Sequence, residues 1–541
     1  MRARAFCFLV VTALALSARE VPLVILHTTD LHSSVLPAVP AEDPRAVAIE
    51  GAAPSRGPLG GFARCATMIR EIRAKERNVL WLDNGDTLAG NALGWITRGG
   101  AILRALNLLD CSSWTLGNHE FDWGLATLAP RMNEFKGDLL AANLRYDAPS
   151  DAPPEIAKAF ARVKPFVVRE FDGVKVGVIG LTTPGVPSWS RPRLIPGLVV
   201  EDSLVALRRV VPHAKAAGCD LLVLSAHQGL RPRGDDSANQ IQALARGFPE
   251  LDAIVGGHSH QPFEEQKVGG VLYTQANYWG SHLGRIDLVW DSAARRMVSR
   301  KARLIPMDAS VPMDPEVLDA LRADLDRTAE VLREKVGETA APISASGGPK
   351  AATPLHDVLC AAIAEAVEAR GGKADAVLHG LLANSKTGLP AGTLRMAEVW
   401  SVVPYENTIG VAEFTRDQLL EILEENAAAY QSPRFRGLWG LTMKIRPSAP
   451  HGERVVFLGD RAGRALPPDA RVRLAANSYD LASGGRRWIR FRELADAPDA
   501  KLVEYDFQTR EALAEYLRKH APLEPQKPTW WSIERAKPRV R

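Results

Sequence analysis

The stretch Leu23-Val24-Ile25-Leu26-His27-Thr28-Thr29-Asp30-Leu31-His32 is a short apolar strand, Leu23–His27, that runs into a polar Asp-x-His turn. The same arrangement recurs along the chain. Val79–Leu82 leads to Gly85-Asp86, and Ser113–Leu116 leads to Gly117-Asn118-His119-Glu120. Leu221–Leu224 leads to His227, and Ala253–Val255 leads to Gly257-His258-Ser259-His260. Leu139–Ala142 and Val174–Ile179 read as further strands, with helical stretches between them from Pro22 to about Pro306. Strands alternating with helices predict a layered α/β domain. Turns at the carboxyl ends of such strands converge on one sheet edge, where open α/β folds place their sites.

Taken singly, each turn has a plain reading as a hydrogen-bonded cap or a tight turn. Together they bring Asp30, Asp86, Asn118, His32, His227, His258 and His260 to one edge. This is an oxygen and nitrogen ligand set without thiolate, suited to borderline divalent ions such as Zn²⁺, Mn²⁺, Fe or Co²⁺. A single ion does not need seven ligands. Two ions about 3.5–4 Å apart need one bridging carboxylate and a bridging water, which they activate near neutral pH.

The order D-x-H, G-D, G-N-H-E, H, G-H-x-H resembles that of the calcineurin-like metallophosphoesterases. The fuller segments Leu26–His32 and Leu116-Gly117-Asn118-His119-Glu120-Phe121-Asp122-Trp123-Gly124 are similar to the secreted 5′-nucleotidase family, which includes 2′,3′-cyclic-nucleotide phosphodiesterases and UDP-sugar hydrolases. The resemblance implies a four-layer β-sandwich flanked by helices, followed by a second α/β domain. It implies one metal on Asp30, His32, Asp86 and His260, and a second on Asp86, Asn118, His227 and His258, with Asp86 bridging. His119 matches the family's catalytic histidine, paired with Asp122. An imidazolium there can stabilise the phosphate or protonate the leaving oxygen, and the carboxylate orients it. Ser33 stands where the family often has glycine, a change expected to leave metal binding intact.

The chain has 541 residues, 46% apolar and 24% charged, more than one compact core holds. Its 67 basic and 63 acidic side chains give a net charge of +4, too balanced for a nucleic-acid polymer as partner. No apolar run is long enough to be a membrane anchor. Arg2 and Arg4, the apolar run Ala5–Ala15 and Leu16-Ser17-Ala18 have the layout of a signal peptide over residues 1–18, so an exported protein, periplasmic or extracellular, is expected. Cys65, Cys111, Cys219 and Cys360 are scattered without a C-x-x-C pair and read as buried free thiols, although export permits disulfides. The expected division is a metallophosphoesterase domain over 22–306, a linker over 307–340, a substrate domain over 341–525 and an unassigned tail over 526–541. In the linker, Asp314-Pro315 opens a helix whose apolar stripe runs from Val317 to Val336 and which Gly337 ends.

In the second domain, Val402-Val403-Pro404-Tyr405-Glu406-Asn407-Thr408 resembles the family's P-[FY]-x-N segment, whose aromatic stacks on the base. Asn477-Ser478-Tyr479 with Ser483-Gly484-Gly485 resembles its substrate loop, and Trp488 would supply the opposing aromatic. The competing reading makes Tyr405 and Trp488 core aromatics. Two segments depart from the family. Val377-Leu378-His379-Gly380 with Asn384-Ser385-Lys386 replaces N-G-G-x-x-R, and Gly484-Gly485-Arg486-Arg487 replaces G-G-D-G. Substrate contacts are therefore expected from Lys386 or from Arg486 and Arg487. The function expected is that of an exported two-metal phosphohydrolase acting on nucleotides, most simply a 5′-nucleotidase working through a metal-bridging hydroxide. Cyclic-nucleotide phosphodiesterase/3′-nucleotidase or UDP-sugar hydrolase activity is the alternative within the class. A non-catalytic surface binding protein is the alternative outside it, and the complete ligand set argues against decay.

Overall fold

The structure, a computed structural model, describes residues 20–38, 58–346, 351–380, 388–432, 434–524, 526 and 530–534. The expected signal peptide, most of the Ala/Pro/Gly-rich stretch 37–58, which its composition leads one to expect as a surface loop, and Lys386 lie outside these residues. In the first domain two sheets face each other. One runs in the order Arg296–Pro306, His282–Asp291, Glu20–Thr28, Val79–Asp83, Ser113–Thr115, Asp138–Leu140, Val163–Lys164. The other runs Pro262–Val268, Val271–Ala276, Ala253–Gly256, Leu221–Ala226, Val174–Leu181, Phe166–Phe171. The inner strands that carry the polar turns are parallel, so those turns emerge on one edge.

Alternation along the first strand builds the layers. Leu23 and Ile25 enter the core between the sheets with Leu80, Val178 and Val223. Val24 and Leu26 face the other way, toward the helix Phe62–Lys75. That helix buries Phe62, Ala66, Ile69 and Ile72, a single apolar stripe at helical spacing. On the opposite side the helix Ser203–Ala216 is capped by Asp202, which accepts from the N–H groups of Leu204 and Val205. It buries Ala206, Leu207, Val210 and Ala214 against the second sheet. The outcome is a helix–sheet–sheet–helix sandwich, the four-layer arrangement that the family resemblance implies. Asn84 fastens the two sheets at the functional edge. Its amide donates to the carbonyls of Ala226 (3.0 Å) and Val255 (3.3 Å), and Ser225 Oγ donates to its Oδ1 (2.8 Å).

The expected single linker helix is two helices, Pro315–Ala320 and Arg322–Arg333, with Leu321 out of helical geometry (φ −110°, ψ 5°). Asp314 caps the first by accepting from the N–H of Val317. Val336 and Gly337 correct the prediction, since they belong to the strand Lys335–Thr339 and not to the helix. The stripe has two destinations. Val317 and Leu321 pack into the first domain and Leu332 and Val336 into the second, so one straight helix cannot serve both.

The second domain centres on a sheet in the order Gly437–Trp439, Ala376–His379, Arg471–Asn477, Thr408–Thr415, Val503–Gln508. The tail, unassigned from sequence, returns to it. Trp531–Ile533 pairs in parallel with Thr442–Ile445, and Trp530 Nε1 donates to Asp357 (2.6 Å). Cys65, Cys111 and Cys360 are buried free thiols, and Cys219 is a half-buried free thiol.

Two buried histidines outside the ligand groups make stability pH-dependent. Burial pushes His282 in the first domain and His379 in the second down to about 4. Both are neutral when folded and regain an ordinary value near ~6.5 on unfolding. The unfolded chain then binds more protons, so stability present above about pH 6.5 is expected to fall as the pH drops toward 4. Melting temperatures measured across this range check it, and a flat profile would contradict it.

Candidate active site

Asp30 (φ 52°), His32 (47°), Asp86 (52°), His258 (65°) and His260 (51°) all occupy the left-handed region, which costs a non-glycine residue about 1 kcal/mol or more. The turns hold each other in this form. The N–H groups of Asp30, His32 and Ser33 donate to the carbonyls of Gly85 (2.8 Å), Asp86 (2.9 Å) and Thr87 (2.8 Å). Ser33 is left-handed as well (φ 56°), as a glycine could be without strain, and its Oγ donates to Leu88 O (2.6 Å). Glycine is required at Gly117, where a Cβ would lie 2.3 Å from Asp86 Oδ1.

Two groups of ligand atoms result, each lying within 4.8 Å: Asp30, His32, Asp86 and His260, and Asp86, His227 and His258. Asp86 is common to both. Asn118 joins the second group, its Oδ1 2.8 Å from His258 Nδ1. His32 and His227 each direct Nδ1 at a backbone carbonyl, Ala89 O and Asn84 O respectively, at 2.6 Å. Donation there leaves a lone pair on each Nε2 pointing inward. His32 Nε2 lies 3.0 Å from His260 Nε2. His227 Nε2 is buried 3.0 Å from Asp86 Oδ2 without hydrogen-bond geometry. Converging imidazole nitrogens and carboxylates suit a divalent cation, and this cluster is a candidate divalent-metal site.

The electrostatics agree. Burial pushes His32 down to about 4 and His258 to about 3, which keeps both as neutral ligands. Burial also opposes charge on His227, but Asp86 outweighs it and lifts this imidazole to about 9. The rise reflects the unbalanced carboxylate of Asp86, the charge that a divalent cation at this position would neutralise. Burial tends to raise Asp86 too, yet His227, His119 and His32 hold it well below the usual carboxylate range.

His119 belongs to neither group. Its N–H donates to Asp86 Oδ1 (2.8 Å), and its Nδ1 lies 2.7 Å from Asp122 Oδ2. Burial disfavours an imidazolium, but Asp122 and Asp86 together raise His119 well above its ordinary value. The sequence reading assigned no part to Glu120. Its buried carboxylate accepts from the N–H groups of Asp86 (2.9 Å), Thr87 (2.7 Å), Leu88 (3.2 Å) and Gly117 (2.6 Å). One side chain thereby holds the loop of Asp86 against the loop of Asn118 and His119.

A cleft of about 2400 Å³ opens from this edge and is shared with the second domain. Asn118, His119, Trp189 and His258 line it on one side, and Tyr405, Tyr479, Gly485 and Arg486 on the other. Trp189, which no sequence signal marked, lies 5.0 Å from the His258 ring. Its position is fixed from across the cleft, where Gly485 N–H (3.0 Å) and Ser483 Oγ (3.1 Å) both donate to Ser188 O.

Three expected substrate contacts need correction. Trp488 borders the cleft but is 1% exposed and packs in the second-domain core with Leu481 and Phe491, so it has little face to offer a base. Asn477 is a buried helix cap whose Oδ1 accepts from Asp480 N and whose amide donates to Asp480 Oδ2. Gly484 lies beneath its loop, where a Cβ would meet Trp488 at 2.7 Å, and it does not line the cleft. Tyr405 is 45% exposed, and Gly485 and Arg486 face the cleft. Trp488→Ala is accordingly expected to destabilise the protein by about 3–5 kcal/mol, the usual loss for a large buried aromatic. Denaturant melts measure this, and an unchanged midpoint would refute it.

Residues 23–262 match the calcineurin-like phosphoesterase family and residues 335–493 the 5′-nucleotidase C-terminal domain. Over 61% of its length the chain is 28% identical to the 2′,3′-cyclic-nucleotide 2′-phosphodiesterase/3′-nucleotidase of Salmonella typhimurium, covering 54% of that protein. Over 54% it is 30% identical to snake venom 5′-nucleotidase from Crotalus adamanteus, covering 48% of that protein. The chain thus spans about half the length of these curated relatives. The fold is that of a 5′-nucleotidase precursor from Thermus thermophilus, with a TM-score of 0.70, 23% identity, and coverage of 96% of this chain and all of that one.

Proposed function

Since the chain joins a calcineurin-like phosphoesterase domain to a 5′-nucleotidase C-terminal domain, we propose that it hydrolyses phosphate esters of nucleotides, most simply as a 5′-nucleotidase. The observation that carries this is the sharing of Asp86 between two ligand groups, with the His119–Asp122 pair beside them and Tyr405 across the same cleft. Asp30, His32, Asp86 and His260 would hold one divalent ion, and Asp86, Asn118, His227 and His258 a second. Such ions supply Lewis acidity toward a phosphoryl oxygen and an activated water. His119, oriented by Asp122, stands where it can donate a hydrogen bond to the phosphate or a proton to the leaving oxygen. Tyr405 and Tyr479 offer aromatic faces to the base, and Arg486 offers a cation to the rest of the nucleotide. Opening of 2′,3′-cyclic nucleotides is the second reading, favoured by the likeness to the Salmonella enzyme. Export is proposed from the basic start and apolar run of residues 1–18.

The test is a hydrolysis panel of nucleoside 5′- and 3′-monophosphates, 2′,3′-cyclic nucleotides and UDP-glucose, each before and after chelation and with Mn²⁺, Co²⁺ or Zn²⁺ restored. Activity on none of them, or activity indifferent to chelation, would overturn the proposal. Within it, Tyr405→Ala is expected to raise KM for a nucleoside monophosphate about 5- to 150-fold, the worth of one stacked base, with metal content unchanged. An equal loss on an ester lacking a base would remove Tyr405 from base binding.

A further inference from the structure

The residue after Tyr405 is an acid in the domain interface. Glu406 is 6% exposed and meets Arg510, 1% exposed, with both carboxylate oxygens 3.0 Å from Arg510 Nη2. Gln508 Nε2 donates to the same carboxylate (2.7 Å). Arg510 Nη1 donates to Val403 O (3.0 Å), and its guanidinium lies 3.3 Å from the centre of the Trp400 ring. The loop of residues 403–406, which presents Tyr405 to the cleft, is therefore anchored at both ends from within its own domain.

Glu406 also makes one bond out of that domain. Trp123 Nε1 donates to its Oε2 (3.2 Å). Trp123 directly follows Asp122, the partner of His119, and Arg98 covers its ring at 5.5 Å. A buried ion pair contributes little net stability, because desolvation offsets the attraction, and its best-attested use is to fix one arrangement. Here the arrangement fixed is that of two loops, one bearing the aromatic face and one bearing the acid–base pair. We infer that Glu406, held by Arg510 and bonded to Trp123, is a positioning residue that ties the base-binding loop to the His119–Asp122 loop.

The inference rests on the nucleotide reading above. It has a consequence that plain packing would lack, because a base seated on Tyr405 would hold Asp122 and His119 in register. The base should then raise kcat as well as lower KM. The test compares wild type, Trp123→Phe and Glu406→Gln on a nucleoside 5′-monophosphate and on p-nitrophenyl phosphate, with bound metal and melting temperature recorded. Phenylalanine keeps the ring under Arg98 and removes only the N–H. Trp123→Phe is expected to lower kcat about 10-fold on the nucleotide, with KM within about twofold, since small misplacements of reacting groups cost that much or more. On p-nitrophenyl phosphate the fall should be clearly smaller. Glu406→Gln keeps an acceptor for Trp123 but leaves Arg510 unpaired, so it should lower the melting temperature more and nucleotide kcat less than Trp123→Phe. A loss equal on both substrates, a loss confined to KM, or no loss in Trp123→Phe would overturn the inference. If wild type hydrolysed p-nitrophenyl phosphate and no nucleotide, the nucleotide reading itself would fall and this inference with it, a result visible without any variant.

Discussion

Asp86→Ala is expected to leave the protein unable to hold divalent metal tightly at either ligand group and to lower hydrolysis roughly 10³-fold or more, the equivalent of several kcal/mol of charge stabilisation. Asp86 is the one side chain present in both groups, so its loss cannot be confined to one ion. His32→Ala touches the group of Asp30 and His260 alone and should weaken mainly one ion. The two variants differ in stoichiometry as well as in rate. Metal analysis of dialysed protein reads this directly, and two tightly bound ions in Asp86→Ala would sink the assignment.

His119→Asn should behave in the opposite way, with metal content intact and kcat about 10²–10⁴-fold lower, the usual worth of a positioned acid or base. The geometry behind this is the placement of His119 outside both ligand groups while its ring engages Asp122. Asp122→Asn should lower kcat less, because the imidazole loses its orienting carboxylate and keeps its place. If His119→Asn strips a metal instead, the residue is a ligand and its assigned role is wrong.

The candidate ligand cluster was legible because each of its residues sits in a turn directly after an apolar strand. Strand direction alone then brings Asp30, Asp86, Asn118, His227 and the His258–His260 turn to one edge. The opposite wall of the cleft was legible only in part. Tyr405 projects from a loop as expected, but Trp488 comes just before the helix Ile489–Asp496 and is drawn into the core, which local sequence does not reveal. Trp189 belongs to a four-residue helix with no periodicity to read, and it becomes part of the cleft only when Ser188 meets the Gly485 loop. Glu120 was visible in its motif, yet its task depends on backbone N–H groups that no sequence displays. The linker helix was misread because one apolar stripe serves two separate cores.

The pairing of Glu20–Thr28 with His282–Asp291 also bears on how the molecule comes to exist. A strand from the start of the chain lies inside the seven-stranded sheet and meets its neighbour only after some 260 intervening residues have been made. Loop closure over that distance is slow, and exposed strand edges in the interval invite aggregation. The strand that completes this pairing also lies beyond residue 262, where the phosphoesterase match ends. A fragment cut at that residue would bare one side of Glu20–Thr28, next to the turn that carries Asp30 and His32, so assembly of the candidate ligand edge has to wait for the whole of the first domain.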